Sequence, residues 1–415
     1  MTSRPSLPLI TVPEECSLPS FLASHAGAFA STREFRAFYD DLDRAEGERV
    51  NRLWSVVQAL EAEDRTLAAV HAEYLVRAMP DEDDSHGAMA VRTFAEALLA
   101  RIRVADSSAG NLYLDARPPG AQLRAFELLR LRTPLIPFAY AAGNRAILDV
   151  AADARDITLV DVGIGRGGQV RALLRNPSAR RMLRSIHVVG IEPDSASETQ
   201  TGALEIAEQN VRSAATEVGI PLTFHAIPSR AEDLTLAQLN AAGLQGTVIA
   251  SSAFCLHHLP PRAEGASCRP HVMRLLREAG AEAFVLVEPD SNHHVDSLPL
   301  RFLYAFRHYR TVSRSLHNLL SPPDASLVWQ EFFAPEVTNV IGHDGEKRTE
   351  RHEESPSWLH HLQQAGWQPQ DVAGLLPAAA APSGFTLESR GTTFSLAFQG
   401  VSVLTVMRAA PPGPR

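Results

Sequence analysis

The spacing of apolar residues changes once along the chain. Up to Arg103 it is helical: Val50, Leu53, Trp54, Val57 and Leu60 share one face, then Leu67, Val70, Tyr74 and Leu75, then Phe94, Leu98 and Ile102. An acidic stretch at 80–85 reads as a solvated loop between the second and third helices. Helical stretches follow at 122–132 and 139–152. From about residue 155 short β-branched runs appear at 157–161, 187–191, 222–226, 247–251 and 283–287, with helical stretches between them. That alternation predicts a parallel sheet with helices on both faces. Two final runs, 392–398 and 401–407, meet across Gln399-Gly400 and predict an antiparallel hairpin.

A helical stretch at 298–320 interrupts the alternation and reads as an insert. The predicted organisation is an N-terminal helical cap at 1–145 and an α/β core at 146–415, with an insert at about 296–352 joining the cap. Five parallel strands closed by a C-terminal hairpin give the doubly wound, Rossmann-like layout of class I methyltransferases. Residues 1–27 and the tail from Ala409 read as irregular.

The chain has 415 residues, 45% of them hydrophobic, which suits a packed core. Its net charge of -9 argues against general polyanion binding, so no direct nucleic-acid contact is expected. The first eight residues lack the apolar core of a signal peptide, and no 18-residue apolar run predicts a membrane span. Cys16, Cys255 and Cys268 form no CxxC pair, which fits a cytoplasmic protein. A homodimer is compatible with all of this.

The candidate chemistry sits where the strand runs end. The first ends on Asp161 and a glycine series, Gly163, Gly165 and Gly167, ahead of a helix. Glycines there let a ligand approach the backbone. The second ends on Glu192, placed either to accept from ribose hydroxyls or to favour a helix N-terminus. After the third come Glu232 and Asp233, for an adenine amino group or for helix capping. The fourth run ends on Ser251 and leads to His257 and His258. One of these suits a general base or orienting donor, with a plain backbone-bonded loop histidine as the other reading. The fifth leads to Asn292 and His293, at the same sheet edge and suited to substrate contact or base catalysis. The chain lacks HExxH and facial-triad spacing, so no metal is expected. In the insert, Phe302, Phe306 and Tyr309 share one face and Arg307, Arg310 and Arg314 another. These form either a core stripe with a basic outer face, or a lid whose Phe306, Arg307 and Arg310 meet an acidic substrate.

These residues resemble the GRAS domain, known from plant transcriptional regulators, and most closely its bacterial members. Residues 133–147 resemble the end of its first leucine-rich motif, with Asn144 on the characteristic asparagine. Leu159, Val160 and Asp161 resemble the "VHIID" strand, and residues 253–260 the "LHxLP" loop. Residues 287–293 are similar to "VEQEANHN". Residues 350–353, with Trp358 and Trp367, resemble the stretch before the closing "SAW" hairpin. The resemblance implies a methyltransferase-like core with a helical cap, and, for plant members, regulation through protein binding. It departs from them at Gly163, Gly165 and Glu192, which restore a pocket of the S-adenosylmethionine kind.

The expected function is therefore S-adenosylmethionine-dependent methyl transfer, with S-adenosylhomocysteine as product, to a small molecule bound between core and cap. Asn144, His258 and the insert residues would line the acceptor site. The alternative is a non-catalytic module that binds a ligand or protein through the same pocket. An NAD-dependent enzyme is the weaker third reading.

Overall fold

The structure is a computed structural model and describes residues 38–39, 42–79, 86–103, 119–193, 202–261, 268–375 and 381–413. The expected irregular N-terminus (1–27), the loop at 81–85 and the start of the long helix after Pro193 lie outside the described residues. The described chain divides into two compact units.

The first unit comprises Met1–Asp115, Val295–His317 and Ser321–Lys347. Its helices are Arg44–Glu61, Arg65–Ala78 and His86–Arg103, joined by Leu298–Leu319 as far as His317, then Pro322–Val328 and Ala334–Gly342. Two aspartates start the first pair: the Asp43 carboxylate accepts from the Glu46 N–H and the Asp64 carboxylate from the Leu67 N–H, each at 2.9 Å. The core is aromatic. Phe94 meets Phe302 at 5.6 Å and Phe306 at 5.2 Å edge to face, and Trp54 lies 6.1 Å from Phe302. A buried ion pair crosses this core, with Arg310 Nε and Nη2 each 2.5 Å from the Glu46 carboxylate.

The second unit holds the sheet, at Ala116–His294, Asn318–Leu320 and Arg348–Arg415. The strands are β1 (Asp156–Val162), β2 (Ser185–Glu192), β3 (Leu222–Pro228), β4 (Thr247–Ala253), β5 (Ala283–Pro289), β6 (Gln368–Pro369), β7 (Phe385–Ser389), β8 (Thr393–Phe398) and β9 (Val401–Ala410). Their order is 3-2-1-4-5-9-8-7, with β6 on β9. β1 to β5 are parallel and β9, β8 and β7 antiparallel, so the sheet is mixed. Strand order reverses between β1 and β4, the kind of position at which open α/β sheets bind ligands. The β8–β9 turn has Gln399 at φ 50° and Gly400 at φ 77°, the type I′ signature of a two-residue hairpin.

Three boundaries differ from the sequence reading. The unit division falls at 115, not 145. The helices Pro119–Arg132 and Leu135–Val150 belong with the sheet, because the small apolar face of the second packs on β4, β5 and β9. Ala409 and Ala410 continue β9, fixed by pairing with Phe284 and Gln368. β7 was missed because its five residues offer only two apolar ones, Phe385 and Leu387. Among the described residues, no helix is long and apolar enough to cross a membrane.

Candidate functional site

The glycine loop begins where β1 stops. Asp161 is in register with Gly190 of β2 and Ser251 of β4, so it sits in the middle of the parallel half at its C-terminal edge. Gly163, Gly165 and Gly167 all have positive φ, at 78°, 52° and 73°. At Gly163 the space for a side chain is already filled: a Cβ there would lie 2.4 Å from Cys255 Cβ. Gly165 is the opposite case, with open space where its Cβ would be. Its N–H donates to Glu192 Oε2 at 2.9 Å, which folds the end of β2 over the loop.

Among the described residues, Asp161 and Glu192 form no ion pair. Burial, then the charge of Glu192, pushes the Asp161 carboxyl up to about 7, against a lowering hydrogen bond from Ser251. Glu192 is also raised by burial, with the Gly165 N–H opposing. Behind them runs a supporting chain: Asn144 Nδ2 donates to the Gln169 carbonyl at 3.1 Å, and Gln169 Nε2 to Ser251 Oγ at 3.3 Å. Asn144 thus braces the helix Gly168–Leu174 from within, with 3% of its surface exposed, rather than lining an acceptor site. After β3, Glu232 is half-buried, pairs with Arg230 at 3.5 Å and acts electrostatically on Cys255, while Asp233 is exposed.

The β4–β5 end is built differently. Phe254 takes φ 58°, unusual for a large side chain, as the chain turns from β4 into the loop at Cys255–His258. His257 Nδ1 lies 2.6 Å from Glu288 Oε2, and Nε2 lies 3.3 Å from Glu350 Oε2. The other Glu288 oxygen accepts the Leu256 N–H at 2.8 Å. Burial would lower the His257 pKa, but the two carboxylates overcome it and push it up to about 10. Arg269 ties the same loop: Nε and Nη2 donate to the carbonyls of Leu256, His257 and Arg351, and Nη1 pairs with Glu353 at 2.6 Å. His293 Nε2 meets Ser291 Oγ at 2.9 Å and Nδ1 meets His352 Nδ1 at 2.7 Å. The segment 350–353 is laid on by backbone hydrogen bonds, Arg351 N–H to the His257 carbonyl and His293 N–H to the His352 carbonyl.

His257 and His293 are therefore buried, at 4% and 0% exposure, with both nitrogens of each engaged inside the protein. Both rings are thus held within this network. His258 is partly exposed, its Nδ1 3.4 Å from Glu350 Oε1. Asn292 is half-buried, and its Oδ1 is a buried acceptor without a hydrogen bond. The insert residues belong to the first unit's interior: Phe306 is in its aromatic core, Arg310 is consumed by Glu46, and half-buried Arg307, after burial itself, helps push the pKa of His308 down to about 3. These three do not assemble as an acidic-substrate lid; of the two sequence readings, the core stripe holds for Phe306. The sequence reading missed Glu288, Arg269, Glu350 and His352 as site residues. The dense run of charges with a histidine at 348–353, just before the final helix, was the available signal.

The model of the GRAS domain family matches residues 49–406. This chain belongs to the GRAS domain family. Scarecrow-like protein 1 from Arabidopsis thaliana is 26% identical over 263 residues, covering 62% of this chain and 44% of its own. Scarecrow-like transcription factor PAT1, also from Arabidopsis thaliana, is 24% identical over 251 residues, covering 59% of this chain and 50% of its own. The crystal structure of SCL7 in Oryza sativa is similar at a TM-score of 0.70 and 22% identity, over 86% of this chain and 99% of that one, which establishes the shared fold. The chain spans about half the length of the first curated relatives it matches. These relatives are plant proteins, and the bacterial placement that the sequence resemblance implied draws nothing from them.

Proposed function

We propose that this GRAS chain is a ligand-binding regulatory module whose glycine edge takes an S-adenosylmethionine-type ligand. The single observation that carries the pocket is the meeting of Glu192 with the Gly165 N–H beside open space. The chemistry of the donor set fits such a ligand. Asp161, buried, and Glu192, half-buried, are acids with raised pKa, and hydroxyl donors or a positive charge would stabilise their ionised forms. Glu192 would accept from ribose hydroxyls, the glycine backbone would admit the ligand, and Ser251 would hold Asp161 in place. The regulatory part draws on the relatives, one of which is named a transcription factor, and on the burial of His257 and His293, the two candidate bases.

Methyl transfer to a small-molecule acceptor is the second reading, favoured by the three positive-φ glycines together with Glu192. When bound, S-adenosylmethionine supplies an activated methyl group. The chain would then contribute position and exclusion of water, with acceptors that need no deprotonation by a histidine.

Calorimetry with S-adenosylhomocysteine beside NAD tests the pocket. Micromolar S-adenosylhomocysteine binding with weak NAD binding is expected, and no binding at millimolar concentration sinks both readings. Incubation with S-adenosylmethionine and a panel of small acceptors separates them: steady S-adenosylhomocysteine release selects the methyltransferase, and binding without release the regulatory module.

A further inference from the structure

We propose that His257, Glu350 and His352 bind one divalent transition-metal ion of the zinc class, through two imidazole Nε2 atoms and a carboxylate oxygen. The three residues come from the β4 loop and the 350–353 segment, and their ligand atoms all lie within 4.8 Å of one another. His257 Nε2 is 3.3 Å from Glu350 Oε2, and His352 Nε2 is 3.5 Å from the same oxygen. Zinc at about 2.0–2.2 Å from each of its nitrogen and oxygen ligands sets tetrahedral ligand-to-ligand edges of about 3.3 Å. Two of the three edges are thus already near the length a metal needs.

The surroundings of the rings point the same way. Metal-bound histidines give their other nitrogen to a carboxylate or similar partner, which fixes the tautomer and aims the free lone pair at the ion. His257 Nδ1 donates to Glu288 Oε2 at 2.6 Å. His352 Nδ1 meets His293 Nδ1 at 2.7 Å, and His293 Nε2 meets Ser291 Oγ at 2.9 Å. With protons passed outward along that row, His352 donates to His293 and His293 to Ser291, and the His352 Nε2 lone pair faces Glu350. Both rings are then held from behind, and the ion would take the place of the proton that His257 Nε2 holds toward Glu350, releasing it to solvent. His258, partly exposed and 3.4 Å from Glu350 Oε1, marks the side from which an ion enters and where a fourth ligand stands. Imidazole with carboxylate selects zinc-like ions over calcium or magnesium. Long sequence separation hides the site, because its other two ligands are 93 and 95 residues from His257.

The test uses the full chain, stripped with a chelator and reloaded with Zn²⁺ or Co²⁺ alone. About one equivalent retained per chain after gel filtration is expected, with a visible Co²⁺ absorption band. A folded wild-type chain that retains none at micromolar free Zn²⁺ overturns the proposal. X-ray absorption of the zinc-loaded wild type places the ion without any variant: a nitrogen and oxygen shell supports the site, and a sulfur shell overturns it. Glu350→Gln should abolish retention, and Glu288→Gln, acting only from behind His257, should weaken Zn²⁺ affinity by ~10–100-fold. Unchanged retention in a folded Glu350→Gln chain also overturns it.

Discussion

Two clusters of acids stand at the same edge of one sheet, and they are built on opposite plans. At β1 and β2, Asp161 and Glu192 are raised, with Gly165 donating one N–H and open space beside it. At β4 and β5, Glu288 accepts from both a ring and a backbone N–H, and Glu350 and Glu353 are held below the ordinary carboxylate range despite burial, by histidines and, at Glu353, also by Arg269. Cys255 stands between the two, its thiol pushed up by burial and then by Glu192 and Glu288. The contrast separates a site that waits for donors from one that already has them. Raised buried carboxyls mark incomplete satisfaction, and so point to a ligand. Lowered ones mark acids already held by positive groups, whose place a bound cation would have to take.

The sharpest break of this comparison is Arg269→Ala. It leaves Glu353 without its guanidinium and takes one donor from each of three carbonyls, so a loss of about 3–5 kcal/mol in denaturant unfolding is expected. A loss below 1 kcal/mol would show that the β4–β5 cluster is not the self-satisfied one. On the other side, Glu192→Ala should cost about 1.5–3 kcal/mol of S-adenosylhomocysteine affinity by calorimetry while the melting temperature barely moves. The reverse pattern, stability lost and affinity kept, would make Glu192 structural.

Gly165→Ala and Gly163→Ala sharpen the division within the loop. Both force alanine into positive φ, at about 1–2 kcal/mol, but only the Gly163 Cβ collides with Cys255. Shortening Cys255 to Gly should therefore recover part of the Gly163→Ala loss and none of the Gly165→Ala loss, measured by thermal unfolding. Equal recovery in both would refute the assigned contact.

The gentlest test is a slope. The Asp161 pKa is raised from 3.8 to about 7 in the folded chain. The folded state then binds a proton that the unfolded state has released. This contribution is full below about pH 4 and is lost as pH rises through 7, by at most about 1.4 kcal/mol per pH unit. Asp161→Asn should flatten the fall of stability between pH 4 and 7. An unchanged slope would mean that Asp161 is ionised throughout.

The apolar periods alone determined the alternation of strands and helices and the β8–β9 hairpin, because each depends on neighbours a few residues apart. The glycine loop with Asp161 and Glu192 was legible for the same reason: strand ends are local, and parallel order carries them to one edge. The sequence could not say that His257 and His293 face inward. Their environment is set by Glu288, Glu350, His352 and Arg269, which reach them from β5, from the helix Cys268–Glu278 and from a segment more than 50 residues past β5. Nor could an amphipathic stripe at Phe302, Phe306 and Tyr309 reveal whether its far side met solvent, a ligand or Glu46. Period fixes which residues share a face; what that face meets is decided by long-range packing, and burial then decides which charges are free to act.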